Sequence, residues 1–402
     1  MSVLFALTGI LFAIFIAFLF SFNRKAIDFK KPVVMLAIQV ILVLFMMNTS
    51  IGMKILITLG SFFEALINIS NAGITFVFGD LENKDGSTFF LNVLLPLVFI
   101  SVLIGILNYF KILPFIIKYV GLAINKITRM GHLESYFAIS TSMLGQPEVF
   151  LTIKDTIPNL TRAKLYTIAT SAMSAVSMAM LGSYMQMIEP KYVVTAVMLN
   201  IFSALIIASI INPYKSNKED TKISQNSNDK NDTYINKSSK IPFFQMIGDS
   251  AIDGFKIAIT VGIMLLAFIS LMEAITIVFD LIGLNFKQII GFIFAPVAFI
   301  IGIPWHEAVQ AGSIMATKLI TNEFVAMLDF QKLAGDLTSR TQGILSVYLI
   351  SFANFGTVGI IVGAIKGINS DQGNKVASFA LRLLLGATLA SIISASMIGL
   401  VL

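Results

Sequence analysis

The chain has 402 residues, of which 56% are hydrophobic and 12% charged, with a net charge of +6 and a mean hydropathy of +0.87. An ordinary soluble domain is about 45–50% apolar and about 25% charged, so a water-soluble globule could not cover this much apolar surface. The lack of cysteine excludes disulfides, a thiol nucleophile and thiolate zinc sites; two histidines argue against a histidine-rich metal site; the scattered basic residues form no nucleic-acid groove.

From Val3 to Ser21 the chain is uncharged, and Arg24, Lys25, Lys30 and Lys31 follow where a secretory signal would place a small-residue cleavage site. This predicts a retained first span. Further spans are expected from near Val33, Phe89, Ala163, Val193, Ile257, Gly343 and Val376, about eight crossings of the roughly 20 residues each that a bilayer core requires. Ile51 to Ser70, with Lys54 and Glu64 in an apolar background, reads as an interfacial helix or part of the scaffold.

With both termini outside the cell membrane, the basic segments Arg24–Lys31, Lys111–Arg129, Lys215–Lys240 and Lys366–Lys375 all fall on the cytoplasmic side, and the acidic Asp80–Asp85 loop falls outside. Residues 214–240 are rich in Lys, Asn, Ser and Asp, and predict a solvated linker between two halves. The expected organisation is scaffold helices over 1–111, a first transport repeat over 112–213, the linker over 214–244 and a second repeat over 245–402.

Two apolar stretches break at their centres. The first, Leu133–Asp155 within 130–156, is interrupted by Gly145-Gln146-Pro147-Glu148 and flanked by basic residues on both sides, which predicts a re-entrant helical hairpin. The second, Glu307–Asp329 within 303–333, carries Asn322-Glu323 at the corresponding place and has acidic flanks. Each is followed by a span with a polar, small-residue interruption, over 163–186 and 341–365, and Arg162 and Arg340 recur at nearly the same offset. The sequence therefore reads as an all-α polytopic membrane protein with an inverted-repeat transport domain, two hairpins and two broken helices.

An ionised carboxylate on a lipid-facing helix costs at least about 2.5–3.5 kcal/mol at the bilayer centre, so Glu148 and Glu323 are expected to face a cavity, a partner or a proton. Other readings are a hairpin-tip acid at an interface for Glu148, an ion pair with Lys318 for Glu323, and interhelical hydrogen bonds for Gln146 and Asn354. His306-Glu307 begins like a zinc-protease motif, but Gln310 stands where the second histidine is needed. Gly359–Gly363 is a helix-packing GxxxG. No phosphate-binding loop or nucleophile elbow is present, which argues against nucleotide-driven transport and covalent catalysis.

At these residues the chain resembles the concentrative nucleoside transporters, most of all their bacterial NupC-type, proton-coupled branch. The shared words are TFVFG at 75–79, GQPEVF at 145–150, EPKYVV at 189–194, INPY at 211–214, GSIMATKL at 312–319, NEFVAM at 322–327 and SFANF at 351–355. The resemblance implies a nucleoside site formed by Gly145, Gln146, Glu148, Glu323, Phe352, Asn354 and Thr357. Gln146 and Glu148 match the base-recognising pair, Glu323, Asn354 and Thr357 the ribose-binding positions, and Phe352 the aromatic beside the base.

It also implies import of pyrimidine nucleosides such as uridine and cytidine, with adenosine a further candidate, and a homotrimer. No cofactor or metal is expected. Protons are the expected coupling ion, carried by Glu323 or Glu148, with sodium coupling and passive facilitation as alternatives. Some positions depart from the pattern: Pro147 replaces a hydroxyl residue, Gly356-Thr357 a serine-rich pair, and Thr141 the asparagine of sodium-coupled members.

Overall fold

The computed structural model describes residues 2–79, 89–128, 130–146, 148–214 and 241–402. The acidic Asp80–Asp85 loop, Arg129, Pro147 and the polar linker between Tyr214 and Ile241 lie outside the described residues. Apolar chain in a nonpolar medium has to satisfy its backbone internally, and every regular element among the described residues is helical.

The first half contains α1 (Ser2–Leu19), α2 (Lys30–Asn48), α3 (Ser50–Phe78), a π-type turn at Phe90–Leu94 leading into α4 (Pro96–Tyr109), and α5 (Ile112–Thr128). It continues with α6 (His132–Met143), the single turn α7 (Glu148–Leu151), α8 (Arg162–Ser174), α9 (Met178–Met185) and α10 (Pro190–Ile211). The second half holds α11 (Phe243–Leu281), α12 (Phe286–Ile300), α13 (Trp305–Ile320), α14 (Glu323–Leu333), α15 (Ser339–Leu349), α16 (Phe355–Ile368), α17 (Ser370–Ser378) and α18 (Ala380–Ile398).

Among the described residues, seven helices are long and apolar enough to cross a membrane, counting α8 and α9 together, and the bent pair α12–α13 would make an eighth. The membership of this set differs from the expected spans. The stretch around Ile51–Ser70 is part of α3, one 29-residue helix, whose buried positions Leu56, Gly60, Phe63, Ile67, Ser70 and Ile74 recur every three or four residues. That narrow stripe faces α10, α2 and α9, while most of the helix stays exposed.

The basic segment after Lys111, for which no helix was expected above, is the amphipathic helix α5. It buries Leu113, Ile117, Gly121 and Ile124 against α6 and leaves its lysines outward. The charges that mark the segment as cytoplasmic hid its helical period. The span expected from Gly343 is divided between α15 and α16.

Burial separates an inner set of helices from an outer one. The α8–α9 span is 94% buried and packs with α10 and α18, whereas only 11% of the α11 window is buried and α11 lies mainly along α4. At the inner set, α12 and α13 meet with a 116° bend. A Cβ on Gly312 would stand 2.5 Å from the Gly291 carbonyl oxygen, so glycine is what allows these two backbones to touch.

Candidate functional site

The two second-half breaks are each built by ending one helix and capping the next. The second-half hairpin leaves α13 at Thr321, and Asn322 Oδ1 accepts from the Val325 amide at 3.0 Å to start α14. Glu323 is therefore the first residue of α14, with its carboxylate at the positive end of a helix. The second broken helix is made the same way. After α15 ends at Leu349, Asn354 Oδ1 accepts from the Thr357 amide at 2.8 Å to start α16.

These two breaks are joined directly. Glu323, only 4% exposed, accepts at Oε1 from the Tyr184 hydroxyl at 2.9 Å and at Oε2 from Asn354 Nδ2 at 3.1 Å. Both carboxylate oxygens thus have a hydrogen-bond donor at a depth where an unpartnered polar group would be costly. Tyr184 is itself fully buried on α9, with its ring 5.0 Å from that of Phe324. Its neighbour Ser183 donates to Val93 O at 2.5 Å, in the π-type turn before α4. Thus α9 links the outer helices to the carboxylate.

The proposed Glu323–Lys318 ion pair does not form. Lys318 is 1% exposed, and its ammonium instead donates to Tyr348 O at 2.5 Å and Ser351 Oγ at 2.6 Å, with Ser391 Oγ at 3.4 Å. Ser351 and Ser391 are hydrogen-bonded to each other at 2.7 Å. The cation is spent on holding α13, the second break and α18 together.

In the first half, α6 ends at Met143 and the chain turns through Gly145. A Cβ there would come within 2.6 Å of Glu148 Oε2, so Gly145 makes room for the carboxylate. Gln146 Nε2 donates to the carbonyl of Ala172, in the last turn of α8, where the break at Ala175–Ser177 removes the usual helical donor. Gln146 is half-buried and Glu148 exposed.

The structure thus gathers Glu323, Asn354 and Thr357 into one cluster. Gly145, Gln146 and Glu148 stand together at the other hairpin tip, and α7 packs against α16, the helix that Asn354 caps. Phe352 is half-buried between α15 and α16. Tyr184 and Lys318 were not among the expected site residues. Tyr184 lies 139 residues from its partner, in a Gly-Ser-Tyr-Met stretch with no distinguishing pattern. Lys318 carried a signal, an ammonium inside an apolar helix, but its partners could not be read locally.

The chain matches three family models end to end: the Na+ dependent nucleoside transporter N-terminus over residues 8–81, the nucleoside recognition (Gate) model over 90–191, and the Na+ dependent nucleoside transporter C-terminus over 192–399. It belongs to the concentrative nucleoside transporter family. Its relatives include the purine nucleoside transport protein NupG of Bacillus subtilis, 32% identical with 98% of each chain covered. The nucleoside permease NupC of Helicobacter pylori is 28% identical over 99% of this chain and 98% of the relative.

Among solved structures, CNTnw in an inward-facing substrate-bound state superposes with a TM-score of 0.90 at 28% identity, over 100% of this chain and 98% of that one. A concentrative nucleoside transporter is a multi-pass membrane protein and not an enzyme. The superposition gives this chain the same architecture of transport and scaffold domains.

Proposed function

We propose that this transporter is a secondary active symporter that imports nucleosides with a proton gradient. The observation that carries the reading is the Glu323 cluster. A buried carboxylate, an amide and a hydroxyl-bearing residue meet where two helices begin. A ribose offers vicinal hydroxyl donors that match carboxylate and amide acceptors, and Gln146 and Glu148 at the facing hairpin tip offer donor and acceptor atoms to a base edge. Phe352 supplies an aromatic face beside them.

Proton coupling is supported by Thr141. Threonine stands there in place of the asparagine of sodium-coupled members, so an amide oxygen that could ligate sodium is missing, and the hydroxyl's hydrogen is bonded to Phe137 O at 2.8 Å and Ala138 O at 3.0 Å. The proton is carried by one of the two hairpin carboxylates, Glu323 or Glu148. Loading proton and nucleoside together would neutralise the site before the inner helices move. In this reading α6–α7 and α13–α14 are re-entrant hairpins, both termini lie outside, and the assembly is a homotrimer in the cell membrane.

Sodium coupling is the second reading, because the matching family models are named for sodium dependence and the buried hydroxyls of Ser171 and Ser174 at the α8 break have no partner among the described residues. For the base, pyrimidine nucleosides such as uridine and cytidine are proposed first, and purine nucleosides second on the name of the Bacillus relative.

Uptake of radiolabelled uridine into proteoliposomes, with choline replacing sodium and competing purine nucleosides added, tests each part. Accumulation above equilibrium under an inward proton gradient in choline is expected. A strict sodium requirement would replace the coupling ion, and equilibration without accumulation would make the protein a facilitator.

A further inference from the structure

Arg162 opens α8 and is one of the two repeated basic landmarks of the sequence, yet the nucleoside site makes no use of it. Its guanidinium lies 5.0 Å from the centre of the Phe22 ring and 5.8 Å from that of Phe379. Arg382, in the first turn of α18, lies 4.2 Å from the same Phe22 ring. Among the described residues neither guanidinium has an ion-pair or hydrogen-bond partner. Both open on one cavity of about 550 Å³, whose wall also includes Ser378, Phe379 and Leu381.

Two guanidinium groups gathered over one ring repel each other, and the N-terminal ends of α8 and α18 add partial positive charge at the same place. Among the described residues no carboxylate lines the cavity to offset them. An anion between the two forks relieves that repulsion and accepts several planar, charge-assisted hydrogen bonds, for which phosphate oxygens have suitable geometry.

The apolar part of the wall separates a lipid from a free ion. Leu381 is 74% exposed beside the arginines, so one wall of the charged cavity is an uncovered aliphatic surface at the end of a membrane-crossing helix. A headgroup that carries acyl chains covers both, whereas inorganic phosphate covers only the charge.

We propose that this cavity binds the phosphate headgroup of an anionic phospholipid, held between Arg162 and Arg382 over Phe22, with its chains passing Leu381. The bound lipid would fasten the α1–α2 connection to α8 and α18, beside the place where the Phe22 amide already donates to Ile211 O at 2.7 Å. This assignment does not depend on which nucleoside or which ion is carried.

The test uses the delipidated full-length protein in detergent, with phosphatidylglycerol and phosphatidylcholine as probes and native mass spectrometry as readout. The wild type is expected to retain phosphatidylglycerol in preference to phosphatidylcholine, and the pair Arg162→Gln/Arg382→Gln to lose about tenfold or more of that preference. Arg24→Gln is the control, since Arg24 lies over Phe18 and bonds to the Phe18 and Leu19 carbonyls outside this cavity. It should retain lipid as the wild type does.

Arg162→Lys/Arg382→Lys should recover part of the preference by restoring charge without the planar fork. Should the glutamine pair fail to fold, thermal melting of the wild type decides: phosphatidylglycerol, but not phosphatidylcholine, raises its Tm. Equal retention by wild type and glutamine pair, no selective rise in Tm, or displacement of the lipid by millimolar inorganic phosphate would each overturn the proposal.

Discussion

Tyr184 and Glu323 share a 2.9 Å hydrogen bond that crosses from the broken helix of the first half to the hairpin of the second. Both residues are buried, and the remaining carboxylate oxygen is held by Asn354. The contact makes one carboxylate the meeting point of the two sequence repeats, so a change in the relative position of the halves has to be registered there.

Tyr184→Phe removes the hydroxyl and keeps the ring against Phe324. Loss of a hydrogen bond to a charged buried group costs about 1.5–3 kcal/mol, so nucleoside affinity should fall about ten- to hundredfold while the protein remains monodisperse on size exclusion. Binding measured by isothermal calorimetry checks this; an unchanged affinity would place Tyr184 outside the site.

Asn354 has two tasks that substitutions can separate. Asn354→Asp keeps an oxygen to cap α16 but sets a second carboxylate against Glu323 Oε2, which now lies 3.1 Å from the amide. Thermal stability should change little and uptake should be lost. Asn354→Ala should lower both, with about 1 kcal/mol of stability going with the cap.

Much of this site was legible because membrane helices advertise their interruptions. Gly145 to Glu148, Asn322-Glu323 and Phe352 to Asn354 are polar or helix-breaking groups where apolar helix is otherwise continuous, and all three prove to be helix ends. The inner partners were not legible. Lys318 reads locally as a partner for Glu323, five residues on, yet its nearest acceptors come from α15, the second break and α18, which no sequence spacing relates to it. The helical period of α3 and α5 was present but was obscured by the lysines and glutamate on their exposed faces.

At Gly145 the expectation is steric. Gly145→Ala places a methyl group 2.6 Å from Glu148 Oε2, so the carboxylate has to swing away from the hairpin tip. Displacing a binding group by about an ångström can cost about a hundredfold in a positioned site, and uptake should fall at least several-fold at unchanged expression. Normal uptake by this variant would show that the position of Glu148 is not used.

Lys318→Met keeps most of the side-chain length but leaves the Tyr348 carbonyl without its donor, while Ser351 keeps its bond to Ser391. A buried orphan costs about 1–3 kcal/mol, so the detergent-solubilised protein should melt a few degrees lower even in saturating nucleoside. Melting at the wild-type temperature would show that the ammonium does not hold the inner helices together.

The most direct test of the central claim is uridine accumulation in proteoliposomes under an inward proton gradient without sodium, compared among the wild type, Glu323→Gln and Glu148→Gln. The wild type is expected to concentrate uridine. At least one glutamine variant is expected to lose the response to the proton gradient, and Glu323→Gln also to lose affinity for the nucleoside. Gradient-driven accumulation that survives in both variants would contradict the account.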